Sequence, residues 1–121
     1  MDNAHGLIVG IANYQAINKL PPTVLKDAQD VHDLLVDPAL CGYAPGNVQL
    51  LLDDAATQAA IRQALKELAE RSNADSTVLL YISSHGGRVE SGPQAGEYLL
   101  PVDARADSNR AWPRAPSLAR N

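Results

Sequence analysis

Apolar and polar positions alternate along the chain in two rhythms. Gly6-Leu7-Ile8-Val9-Gly10-Ile11 is an unbroken apolar run rich in β-branched residues, the pattern of a strand buried on both faces. From Val24 onward the apolar residues Val24, Ala28, Val31 and Leu35 recur every three or four positions with acids between them. That spacing predicts an amphipathic helix, which Pro38 ends. Gly42, Pro45 and Gly46 mark a loop, and Val48, Leu50, Leu51 and Leu52 predict a second strand. Thr57 is placed to cap a second helix carrying Ile61, Ala64, Leu65 and Leu68 on one face. Thr77-Val78-Leu79-Leu80-Tyr81-Ile82 predicts a third strand, and Tyr98-Leu99-Leu100 a short fourth.

Strands separated by helices at these distances imply a parallel sheet between helical layers, an α/β fold. In such sheets the reactive groups gather where strands end at their carboxyl termini. The first strand delivers Ala12-Asn13-Tyr14 to that edge, and the third delivers Ser83-Ser84-His85-Gly86-Gly87. No internal repeat is visible.

Composition narrows the picture. The chain has 121 residues, 45% of them hydrophobic, and a formal net charge of −4. That is one small domain with a globular composition, not an extended disordered chain. Its mild acidity argues against a nucleic-acid partner. One cysteine, Cys41, excludes an internal disulfide scaffold. No apolar run approaches the roughly 20 residues of a membrane span. The N-terminus lacks the basic start and apolar stretch of a secretory signal, so a reducing cytoplasm is the expected location. The charge changes sign late. Residues 1–104 hold 6 basic and 13 acidic side chains, whereas residues 105–121 hold four arginines, one aspartate and the only tryptophan, Trp112. With Pro113 and Pro116 and no periodicity, residues 105–121 read as a disordered or weakly docked tail, the kind of break that a truncated or frame-shifted gene produces.

His85 is the residue best placed for chemistry. It stands one step past a buried strand, before two glycines that let another chain approach the backbone. Histidine there can serve as a general acid–base, and the Gly86 and Gly87 amides can stabilise an oxyanion. From position alone, a plain strand-end histidine beside a glycine turn is the favoured reading. The segment Leu79-Leu80-Tyr81-Ile82-Ser83-Ser84-His85-Gly86-Gly87 resembles the histidine motif of caspase-like cysteine peptidases, the clan of caspases, metacaspases and their bacterial relatives. Three more segments agree with that family in order and spacing. Leu7-Ile8-Val9-Gly10-Ile11-Ala12-Asn13-Tyr14 looks like its first strand, and Lys26-Asp27-Ala28-Gln29-Asp30-Val31 is similar to its first helix. Tyr98-Leu99-Leu100-Pro101-Val102-Asp103 matches the Tyr-Leu-x-Pro-x-Asp stretch after the histidine.

The resemblance covers residues 5–104 and implies a partial catalytic domain there, followed by a non-homologous tail at 105–121. The implied fold is a three-layer α/β/α arrangement around a mostly parallel sheet, truncated after the histidine-bearing strand. The implied activity is cysteine-type endopeptidase on protein or peptide substrates, with no cofactor and no metal. His85 would be the general base and Gly86 an oxyanion-hole amide. In the family the nucleophilic cysteine ends a later strand in an Asp-x-Cys motif. No cysteine follows His85 here, and Cys41 lies upstream in a loop, so the chain as given is expected to be inactive. Its function would then be that of a binding or regulatory pseudo-peptidase, or it would be a degenerate gene fragment. An aspartate-specific pocket has no support in Leu20-Pro21-Pro22-Thr23, whose nearest bases are Lys19 and Lys26. A sheet that stops early also leaves an uncovered edge, through which copies of the chain are expected to associate.

Other constellations are weaker. Gly6 to Gly10 matches neither a dinucleotide fingerprint nor a phosphate loop. His5, His32 and His85 are too scattered for a metal-ligand pair. Asp53-Asp54 reads as a solvated loop, and Asp27, Asp30, Asp33 and Asp37 as a solvated helix face. Asp103 reads either as an acid near the site or as a turn carboxylate. His85-Gly86-Gly87 also resembles the oxyanion loop of α/β-hydrolase esterases, but their Gly-x-Ser-x-Gly elbow is absent.

Overall fold

The computed structural model describes residues 2–93 and 95–104. The expectations for Trp112 and the rest of residues 105–121 lie outside them. The strand β1 (Ala4–Gly10) is buried at all seven positions. It lies between β2 (Val48–Leu52) and β3 (Thr77–Ser83) and pairs in parallel with both, Ile8 standing opposite Leu50 on one side and Tyr81 on the other. A strand flanked on two edges and covered on two faces has no position for a polar side chain to reach water, which explains its apolar run from Gly6 to Gly10.

The helices α1 (Thr23–Val36) and α2 (Gln58–Arg71) provide the two covers. Strand–helix–strand crossovers are almost always right-handed, so stepping from β1 to β2 and then back across to β3 puts the helices on opposite faces. Two separate cores result. Leu7, Val9 and Ile11 pack with Ile61 and Ala64 of α2, while Ala4 and Ile8 pack with Ala28 and Leu35 of α1. The molecule is a three-layer α/β/α fold about a parallel sheet.

The helix ends follow local chemistry. No side chain caps α1; the Pro21 and Pro22 carbonyls accept the Val24 and Leu25 amides at 3.1 and 3.0 Å. It stops because Asp37, preceding Pro38, is forced to extended ψ (118°). Thr57 caps α2, its hydroxyl accepting the Ala60 amide at 3.2 Å. The Asp103 carboxylate accepts the Gln58 amide at 3.0 Å, so the chain after the last strand is tied to the start of α2.

After β3 the chain departs from expectation. In place of one short strand it forms an antiparallel hairpin, β4 (Gly86–Val89) with β5 (Gly96–Leu99), as a separate two-stranded sheet. Gly86 and Gly87, which suggest a turn, lie in a strand opposite Leu99 and Tyr98. Glycine is depleted in strands, and only the partner strand makes this one legible. Among the described residues β3 pairs with β1 alone, and Val78 on it is 48% exposed.

The close approach of α1 to β1 depends on Gly10. A Cβ there would sit 2.8 Å from the Ala28 Cβ and 3.2 Å from a Leu52 methyl, whereas one at Gly6 would meet ordinary contacts of 3.4 Å or more. Gly10→Ala is therefore expected to lower stability by about 1–3 kcal/mol in thermal or urea denaturation, with Gly6→Ala costing clearly less.

Candidate active site

The strand order β2-β1-β3 has its topological switch between β1 and β3, and in α/β sheets ligands gather at the carboxyl edge beside such a switch. Residues from both strand ends meet there. Ile11 extends the pairing by donating its amide to Ser83 O at 3.0 Å. Beyond it, the side chain of Tyr14 and the whole of His85 come into contact, their ring centroids 5.1 Å apart and tilted by 44°.

The orientation of His85 is set at three points. Its amide donates to the Tyr14 hydroxyl at 2.9 Å, and its carbonyl accepts the Leu100 amide at 3.0 Å. Its Nε2 lies 2.9 Å from Asn18 O. A carbonyl offers only lone pairs, so Nε2 carries the hydrogen in that contact and the neutral ring presents its lone pair at Nδ1. The imidazole is half-buried and therefore reachable. A half-buried ring with one nitrogen tied to backbone and the other free has the arrangement of a general base.

Gly86 opens β4, directly after His85. The Leu100 N–H to His85 O bond fixes the alternation of the ladder, which makes Gly86 and Leu99 a non-hydrogen-bonded pair. The ladder thus leaves the Gly86 N–H unused, beside the imidazole-bearing residue.

The loop carrying Asn18 is braced by a residue whose part is not apparent from sequence. Asp53 accepts the Ala12 and Asn13 amides on one carboxylate oxygen, at 2.8 and 2.9 Å. It is half-buried with φ of 45°, a left-handed conformation that aspartate tolerates better than most residues. The expected solvated loop is instead a strut under the β1–α1 connection. The only signal was an acid immediately after a strand. Leu20 closes the same loop by donating to Ala12 O at 2.8 Å. Asn13, Lys19, Leu20, Leu25 and Asp53 line an open depression of about 210 Å3 beside it.

Other candidates lie elsewhere. Cys41 follows α1 at the amino-terminal edge of the sheet, half-buried against the α1-side core and at the opposite end of the strands from His85. His32 is on α1, with Nδ1 3.0 Å from the Asp33 carboxylate. His5 is buried on β1, where its Nδ1 has no hydrogen-bond partner and its ring lines a cavity of about 20 Å3, room for one water. The structure does not bring the three histidines together. Asp27, Asp30 and Asp33 are exposed on α1, Asp30 paired with Lys26 at 2.9 Å. Asp103 is engaged with α2 as described above.

The caspase domain model matches residues 4–118. The chain belongs to the caspase domain family. No curated protein matches it. The matched span runs past the break in composition at residue 104. Membership makes this a cysteine-peptidase fold, and Tyr14, Asn18, His85 and Gly86 converge at the carboxyl edge of its sheet.

Burial raises the Tyr14 hydroxyl above its ordinary value of 10.0; hydrogen bonds from the His85 amide and with the Ser84 hydroxyl offset part of this, and the Asp53 charge adds a small upward push. A raised value means that the folded state holds the proton more tightly than the unfolded one. The stability this brings is fully present below pH 10.0 and is lost as pH rises through the higher folded-state value. Denaturation followed from pH 9 to 11, roughly one unit either side of the free phenol, should show an alkaline loss of stability that is smaller in Tyr14→Phe.

Proposed function

We propose that this chain carries the histidine half of a caspase-like endopeptidase site, with His85 as general base and Gly86 as an oxyanion donor, and that residues 5–104 hold all of it that the chain supplies. The observation that carries this reading is the contact of Nε2 with Asn18 O, which leaves the Nδ1 lone pair uncommitted. In peptide hydrolysis a cysteine thiol would lose its proton to Nδ1, and the thiolate would attack the substrate carbonyl. Collapse of the tetrahedral intermediate would return that proton to the leaving amine and leave a thioester for water to hydrolyse. The Gly86 N–H would face the oxygen on which charge develops.

The nucleophile must come from outside residues 1–121, since no cysteine follows His85 and Cys41 lies at the far end of the sheet. By itself the chain therefore hydrolyses nothing. A thiol site of this kind works in a reducing compartment, consistent with cytoplasm. Among the described residues no helix is long and apolar enough to cross a membrane. The second reading, a pseudo-peptidase that binds peptides without cleaving them, rests on the same separation of Cys41 from His85.

A panel of fluorogenic peptides ending in Arg, Lys or Asp is expected to show no turnover with the purified chain. Turnover abolished by His85→Ala and by Cys41→Ser would overturn the inactive reading and make Cys41 the nucleophile. Sequencing the coding DNA beyond codon 104 in all frames separates the two readings. An apolar strand ending in Asp-x-Cys supports the peptidase; its absence from every frame supports the binding module.

The outer edge of β3 is proposed as a self-association surface. Its seven residues are apolar from Val78 to Ile82, and unpaired strand edges of that kind template pairing between copies. Sedimentation velocity should show concentration-dependent dimers that weaken in Val78→Lys. A monomer at every concentration would remove the proposal.

A further inference from the structure

The hairpin's register exposes an irregularity at its root. Gly86 pairs with Leu99 and Gly87 with Tyr98, so His85 and Leu100 form the next rung. In an antiparallel ladder alternate pairs exchange two N–H···O bonds, and this rung falls on the doubly bonded position. Only half of it is made. Leu100 N–H donates to His85 O at 3.0 Å, but the reciprocal bond from His85 N–H to Leu100 O is absent. The Tyr14 hydroxyl occupies its place. It accepts the His85 amide at 2.9 Å and donates to Leu100 O at 2.8 Å. Neither backbone group is left unsatisfied, and the hydroxyl uses both its acceptor and its donor capacity.

We propose that Tyr14 is a positioning residue, a wedge that holds the last rung of the hairpin open and thereby aims the imidazole of His85 at Asn18 O. The wedge is rigid because the Tyr14 side chain is 1% exposed and packs with Leu100 and Val102 in the α2-side core. Its ring also lies beside the imidazole it aims. Without the hydroxyl, His85 N–H and Leu100 O can satisfy each other only by closing on one another. That closure turns the His85 backbone toward β5 and withdraws Nε2 from Asn18 O. The ring then loses the contact that fixes which nitrogen is protonated. The catalytic meaning of this device rests on the peptidase reading; the geometry does not.

The test is nitrogen NMR of the His85 ring in the full chain at a pH where the ring is neutral, which needs neither substrate nor nucleophile. In the unsubstituted protein the two ring nitrogens should show the widely spaced shifts of a single Nε2–H tautomer. In Tyr14→Phe the two shifts should move toward each other as the tautomers mix, while the amide spectrum of β1, β2 and β3 stays in place. Unchanged spacing in a folded Tyr14→Phe protein overturns the wedge. If Tyr14→Phe does not fold, the unsubstituted protein is titrated upward through Tyr14 ionisation, which removes the donor to Leu100. The His85 amide shift should then follow the Tyr14 ring signals with a shared midpoint; a His85 amide that ignores them overturns the proposal. An Nδ1–H tautomer in the unsubstituted protein would instead defeat the general-base assignment, so the two failures are told apart.

Discussion

Every part of this fold answers to the burial of β1. A seven-residue strand with neighbours on both edges and a helix on each face cannot present a charged or bulky polar group anywhere except near its ends. That constraint selects glycines where α1 approaches, aliphatic residues where α2 packs, and a histidine only at the amino-terminal end. It also makes the strand's carboxyl end the first place where polar chemistry can emerge. Asn13, Tyr14 and Asn18 appear as soon as the chain leaves the sheet, and the neighbouring β3 releases His85 at the same level. The position of the site is thus a consequence of where the core stops.

The site itself is built from backbone as much as from side chains. Asn18 contributes a carbonyl, Tyr14 a hydroxyl, and His85 is held partly by its own peptide groups. Backbone groups have fixed geometry once the chain path is fixed, so such a site needs its loops braced. Asp53 does this for the β1–α1 connection and Asp103 for the segment after β5, each by accepting main-chain amides. Asp53, which reads as a solvated loop acid in the sequence, and Asp103, which reads as an acid near the site or a turn carboxylate, both act as struts. Among the described residues their charge is compensated by N–H dipoles and not by cations.

Elements that depend on local pattern were legible from the sequence. The three parallel strands follow from apolar runs, the cap at Thr57 from residue type, and the end of α1 from the conformational restriction ahead of Pro38. His85 and Gly86 were located by position at a strand end and given roles by resemblance. The hairpin was not legible, because Gly86 and Gly87 have weak strand preference and are extended by pairing with a segment about ten residues away. The parts played by Asp53 and Tyr14 were hidden for a related reason. Each is defined by a partner contributed from a distant segment of the chain, and no property of the local sequence encodes that distance.

The hydrogen bonds that complete the site span large separations in the chain. Asp53 reaches back 41 residues to Ala12, His85 reaches back 71 to Tyr14, and Tyr14 reaches forward 86 to Leu100. Closing loops of that size must be compensated by the contacts they permit, so such contacts form late in folding, and topologies rich in them fold slowly. During synthesis the first strand emerges before any of its neighbours, and Tyr14 must wait for Leu100 before its hydroxyl has anything to bridge. The earliest-made segment of the domain is thus the last to acquire its full set of partners, and the ribosome delivers the sheet's most buried strand long before its second edge can be covered.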